Sequence, residues 1–111
     1  MDVGLQVLAA LADPTRRRIV EMLAQRELSA GEIAGRFEVS APAISQHLKV
    51  LRDAQLVRVR AEAQRRIYEL DPDGLSELHA WLGTIRQSWR GRLSASERRL
   101  IKRARDGDEG T

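Results

Sequence analysis

Hydrophobic positions in this chain recur at helical spacing over most of its length and alternate at strand spacing in one stretch. Val3 to Ala12 is a short apolar segment closed by Asp13-Pro14. There Asp13 can cap and Pro14 can take the first helical position, which predicts a second helix from Pro14 to about Arg26 with Ile19, Val20 and Leu23 facing inward. Ser29-Ala30-Gly31-Glu32 has the form of a capping box, so a third helix is expected over Ala30 to Phe37 with Ile33, Ala34 and Phe37 toward the core. Glu38-Val39 reads as a turn, and Ser40 caps a fourth helix from Ala41 to about Ala54. On that helix Ile44, Leu48 and Leu51 form one stripe, while Pro42, Ser45, Gln46 and Lys49 fall on the opposite side.

The period then changes. Leu56 to Arg60 alternates apolar and basic, Arg66 to Leu70 alternates again, and Ala61 to Arg65 between them predicts a hairpin tip without the Gly or Asn that tight turns favour. Asp71-Pro72 repeats the cap-plus-proline start and opens a long helix to about Arg90. Its residues Leu75, Leu78, Leu82, Ile85 and Trp89 step by threes and fours, a coiled-coil-like seam with Trp81 beside it. Either the seam packs on the second helix or it meets another copy of the chain. Ser94 to Glu97 is a further capping box that predicts a short basic helix to about Arg105, ahead of a polar tail expected to be disordered. The expected fold class is therefore mostly α with a small β-hairpin, a winged helix-turn-helix. Its domain is expected to span residues 1–92, with a basic extension over 93–111.

Composition changes this picture little. At 111 residues the chain supports one modest core, and aromatics at 4% agree with a helical fold. The absence of cysteine removes disulfides, thiolate zinc sites and cysteine nucleophiles together. The first residues lack a basic n-region and no stretch is long enough to span a membrane, so a cytoplasmic protein is expected. Net charge is only +3, but 17 of the 19 basic residues are arginine, whose planar fork suits phosphates and base edges. Most can be read as solvated helix faces. Arg58, Arg60, Arg65 and Arg66 stand apart because they crowd one hairpin. Arg16, Arg17 and Arg18 sit in a first helical turn, where the dipole disfavours positive charge; this hints at a nearby anion or reflects simple salt screening.

An apolar stripe backed by small, polar and cationic residues suits a helix that enters the DNA major groove. Gln46 can pair with adenine, and Lys49 can reach guanine or a phosphate. Ser40 is needed as a cap whether or not it also meets a phosphate. His47 flanks the stripe and reads as a local packing or hydrogen-bonding residue. Arg65 and Arg66 follow the hairpin tip and are expected to grip phosphate or enter the minor groove, whereas Arg58 and Arg60 can pair instead with Glu62 or Glu69. Catalysis finds no inventory: there is no glycine-rich phosphate loop, and His47 and His79 lack serine and acid partners in sequence. The alternative to a sequence-specific regulator is a protein-interaction module that binds DNA only non-specifically.

Taken in order, LADPTRRRIVEML, LSAGEIAGRFEVSAPAISQHLKVLRDAQLV and the basic wing resemble the ArsR (SmtB-like) family of bacterial winged-helix repressors over about residues 5 to 90. The resemblance implies a homodimer through the first and last helices, with Leu8, Leu75, Leu78, Leu82, Ile85 and Trp89 at the interface. It also implies repression at a palindromic operator in double-stranded DNA. Three departures qualify it. Glu27-Leu28 is followed by Ser29-Ala30-Gly31 where metal-sensing relatives often carry Cys-x-Cys, so soft-metal control is not expected. A relative's zinc site on the last helix has only Asp71, Asp73 and His79 as counterparts, which read as a chance surface cluster. Glu38 stands where a glycine is common; a non-glycine residue in the left-handed region there would cost roughly 1–2 kcal/mol. No metal or cofactor is expected, and no residue identifies a small-molecule effector.

Overall fold

A computed structural model describes residues 3–92, 99–100 and 102–105. The expected capping box at Ser94 to Glu97 lies outside the described residues. The chain divides into two compact units, Met1–His79 and Ala80–Thr111.

Among its described residues the first unit holds four helices, the start of a fifth and a small sheet. Helix α1 is Val3–Leu11 and α2 is Pro14–Gln25. Asp13 caps α2 by accepting the Arg16 amide, and Pro14 costs nothing at a position whose N–H would be unsatisfied anyway. Strand β1, Leu28–Ser29, leads directly into α3, Ala30–Ala34. Helix α4 is Ala41–Asp53, strands β2 and β3 are Val57–Glu62 and Arg65–Leu70, and α5 begins at Pro72. Val7, Ile19, Ile33, Ile44, Leu48, Leu51 and Leu56 are fully buried, so all four N-terminal helices and the start of the wing share one core.

Three local readings are corrected, and the expected hairpin is extended by a further strand. Helix α3 ends at Ala34, three residues early, because the Arg36 and Phe37 amides bond three residues back to Ile33 and Ala34. Phe37 keeps its place against the core, since the apolar spacing suits that tighter turn equally well. The turn before α4 carries no left-handed residue; among the described residues positive φ occurs only at Gln55 and Ala63. The strain expected at Glu38 is therefore absent. At the wing tip Glu62 pairs with Arg65, which leaves a two-residue turn with Ala63 at φ 56°. An alanine there costs roughly 1–2 kcal/mol that a glycine would not. Finally, the sheet has three strands in the order β1-β3-β2, with Leu28 opposite Tyr68 and Ser29 opposite Ile67.

Gln55 and Gly74 make the tightest junction. After α4 the chain reverses at Gln55, φ 60°, and the Gln55 carbonyl accepts the Gly74 amide at 3.1 Å. The Asp71 amide donates to Leu56 O nearby at 2.9 Å. Together these bonds seat the first turn of α5 on the loop that follows α4.

Helix α5, Pro72–Arg92, runs two residues past its expected end. Its seam does not behave as one unit. Leu75 and Leu78 pack against the core of the first unit, whereas in the second unit Leu82 and Ile85 are 43% and 49% exposed and Trp89 57%. Trp81 is also exposed. No described helix is long and apolar enough to cross a membrane.

Candidate nucleic-acid interface

Helix α4 separates its two faces cleanly. Ile44, Leu48 and Leu51 are buried, and Ser40, Pro42, Ser45, Gln46 and Lys49 are all exposed. Ser40 closes the N-terminus with its hydroxyl oxygen accepting the Ala43 amide at 3.2 Å. Pro42, Ser45, Gln46 and Lys49 make no side-chain hydrogen bond or ion pair among the described residues. A polar side chain without a protein partner on a rigid, capped helix is free to exchange water for another donor or acceptor.

The wing is more neutral than its arginine content suggests. Arg58 Nε donates to Glu69 at 3.0 Å. Arg60 forms a fork onto Glu27 with both contacts at 2.8 Å, and lies 3.3 Å from Glu62 and 3.5 Å from Glu69. Those bonds, led by Glu27, hold the guanidinium above its already high range. Arg65 donates to Glu32 at 3.1 Å, so it is not the unencumbered phosphate grip that its position at the tip implies. Arg66 alone of the four wing arginines has no side-chain hydrogen bond or ion pair among the described residues. An open cleft of about 450 Å³ lies between Arg65, Arg66 and Gln64 of the tip and Ser29 to Gly31 at the start of α3.

Glu32 is the hub on the α3 side. It accepts the Ser29 amide at 3.0 Å, completing the capping box, and also meets Arg26 at 3.1 Å. The Ser29 contacts, with help from Arg26 and Arg65, hold its carboxyl below the ordinary range. Glu27 is lowered by Arg60, and Asp13 chiefly by the Arg16 amide. Each folded value lies below its unfolded one. The stability these groups contribute is therefore present above the usual carboxylate range, near pH 4, and lost as pH falls through the folded values. Melting temperature should hold from pH 7 to 5 and drop at pH 3, and Glu32→Gln should flatten that drop. An unchanged profile in the variant would remove Glu32 from the account.

Two of the three arginines at the start of α2 have partners within the protein. Arg16 folds back onto α1, where Nε donates to Ala10 O at 2.7 Å and Nη2 to Ala9 O at 3.3 Å. Positive charge unfavourable for one helix thus serves the C-terminus of another. Arg18 lies over the Phe37 ring at 5.2 Å. His47 has Nδ1 3.4 Å from Arg16 Nη1 and 3.8 Å from Asp13 Oδ2. Neither this cluster nor the Glu27–Arg60 pair, 33 residues apart in sequence, has a local signal that spacing could reveal.

Among the described residues no three His, Asp or Glu side chains gather as a metal-holding group. Asp71 instead accepts the Asp73 amide at 3.0 Å at the start of α5.

Residues 13–59 match the family model described as bacterial regulatory protein, arsR family. The chain is 58% identical over 69 residues to the HTH-type transcriptional regulator Rv2034 of Mycobacterium tuberculosis, a match covering 62% of this chain and 64% of that protein. It is 36% identical over 76 residues to the transcriptional repressor SdpR of Bacillus subtilis, covering 68% of this chain and 84% of the relative. Among solved structures, an ArsR-like transcriptional regulator from Rhodococcus sp. RHA1 superposes with a TM-score of 0.76 at 31% identity, covering 86% of this chain and 91% of that one.

Proposed function

This chain belongs to the arsR family of bacterial regulatory proteins and is a DNA-binding transcriptional regulator; we propose that it works as a homodimeric repressor reading a palindromic operator through α4. The exposed, unpartnered row of Pro42, Ser45, Gln46 and Lys49 opposite a buried stripe carries this reading. Small residues let the helix backbone approach the groove floor. Gln46 offers an amide for adenine, Lys49 a cation for guanine or phosphate, and Ser40 with the first amides of α4 a phosphate seat. Arg66 grips the sugar-phosphate backbone from the wing. Arg65 joins it only by exchanging its Glu32 partner. No catalytic role, cofactor or resident metal is assigned.

Selection of bound duplexes from a random pool tests the reading. It should return two-fold symmetric half-sites about one helical turn, or a multiple, apart. On that operator Gln46→Ala should cost roughly 1–3 kcal/mol and relax preference at one base pair per half-site. Arg66→Ala should weaken binding to every sequence and flatten the salt dependence by about one counterion per subunit, with a smaller effect for Arg65→Ala. If the pool yields no consensus and these variants bind like wild type, helix α4 and the wing are not reading DNA.

Metal is proposed not to control this protein, because the chain has no thiolate and only two histidines. Operator affinity should stay constant when zinc, nickel, copper or arsenite is added at sub-micromolar free concentration. A zinc effect abolished by His79→Ala would overturn that view.

A further inference from the structure

Three helices of the first unit converge on one side chain to which DNA reading assigns no part. Arg16 donates through Nε and Nη2 to Ala10 O and Ala9 O at the end of α1, where a helix leaves carbonyls unsatisfied. Its amide donates to Asp13 Oδ2 at the N-cap of α2. Its remaining nitrogen, Nη1, lies 3.4 Å from His47 Nδ1 on α4. The contact is shielded, with the His47 and Asp13 side chains only 22% and 32% exposed.

The geometry points to Arg16 as the positioning residue of α4: through His47 it fixes the roll at which the helix presents Ser45 and Gln46. This inference rests on the DNA-reading role of α4 given above. The stripe of Ile44, Leu48 and Leu51 holds α4 to the core, but apolar burial is non-directional and tolerates rotation. A hydrogen bond does not. His47 directly follows Gln46 in the chain, so whatever pins one restricts the other. With side chains included, a helix has a radius of roughly 5–6 Å, on which a roll of about 10° moves a side-chain tip by about 1 Å, enough to spoil a bidentate contact. Only a guanidinium can perform this task. Its rigid fork of donors spans two carbonyls and a ring nitrogen at once, whereas an ammonium is a point charge on a flexible stem.

The arrangement also specifies a tautomer. Arg16 can only donate, so His47 accepts at Nδ1 and carries its proton on Nε2. Asp13 would favour the opposite tautomer, but its oxygen is farther, at 3.8 Å, and already holds the Arg16 amide.

The test compares affinity for three duplexes at one salt concentration: the selected operator, the operator altered at the base pair that Gln46 reads, and random sequence. Arg16→Lys and His47→Leu should each lose roughly tenfold in discrimination, the scale of one base-edge contact, with affinity for random duplex unchanged. His47→Gln, whose amide oxygen can accept from Arg16, should retain it. In a Gln46→Ala background Arg16→Lys should remove no further discrimination, because both act through the same contact. Nitrogen NMR of the wild-type ring should report Nε2–H. Full discrimination in Arg16→Lys and His47→Leu, an equal loss on operator and random duplex, or an Nδ1–H ring would each overturn the inference while leaving α4 as the reading helix. A wild-type protein with no sequence preference would instead remove the reading on which it rests. If Arg16→Lys fails to fold, the contrast between His47→Leu and His47→Gln decides the matter alone.

Discussion

Gly74→Ala is expected to be among the most damaging single-atom-group additions this protein can receive. A Cβ at position 74 would stand 2.2 Å from the Gln55 carbonyl oxygen, 2.7 Å from its carbon and 3.2 Å from the Leu56 nitrogen. All three are backbone atoms, so no flexible side chain can swing away. Relief requires α5 to lift from the α4–β2 loop, breaking the bond from the Gly74 amide and straining Gln55, already in the left-handed region. Overpacking usually costs about 1–3 kcal/mol, and the lost bond adds about 1 kcal/mol. For a chain of this size that corresponds to a fall in melting temperature of the order of ten degrees or more. Gly31→Ala is the control, since nothing lies within 4 Å of the added atom. Thermal or denaturant unfolding of the pair measures the difference. Equal stability of the two variants would mean that the first turn of α5 is not seated on that loop.

Ile85→Glu is expected to abolish high-affinity operator binding while leaving the first unit folded. Leu82, Ile85 and Trp89 are exposed along the second part of α5, and Leu5 and Leu8 are 65% and 41% exposed on α1. Soluble chains seldom leave rows of large apolar side chains like these open to water. The proposed homodimer would cover them, and a carboxylate at position 85 would then be buried without a partner. Light scattering should report a monomer. Circular dichroism should keep its helical signal, because Ile85 contributes nothing to the core that contains Ile44 and Leu48. Each half-site would be bound independently, forfeiting roughly 10²–10⁴ in affinity that tethering two modules supplies. A dimer that survives this change would place the interface elsewhere.

Much of the architecture was legible in one dimension because its causes are local. Asp13-Pro14, Ser29-x-x-Glu32 and Ser40 act within one helical turn of themselves. The starts of α2, α3 and α4 could therefore be read from residue type and spacing, and each cap forms as expected. The two faces of α4 were equally readable, since a 3.6-residue period decides which side chains share a side before any packing occurs. The end of α3 was not. Ile33, Ala34 and Phe37 fit an α-helical turn and a tighter one alike, and only the hydrogen bonds of Arg36 and Phe37 choose between them.

Arg58 meets Glu69, and Arg60 meets Glu62 and Glu69, as their places on the hairpin allowed; tertiary structure alone decided the other partners. The sequence determined that four arginines share the wing, because a hairpin brings its own residues together. It carried no sign that Glu27 and Glu32 would lie within hydrogen-bonding distance of Arg60 and Arg65 once β1 pairs with β3, because β1 is a two-residue strand too short to declare itself by alternation. The same holds for Arg16, whose place at a helix start suggests an anion until α1 folds back and offers its last carbonyls. Periodicity reports the face a side chain occupies. The partner it meets there depends on chain segments some thirty residues away, and that contact is made only when the core closes.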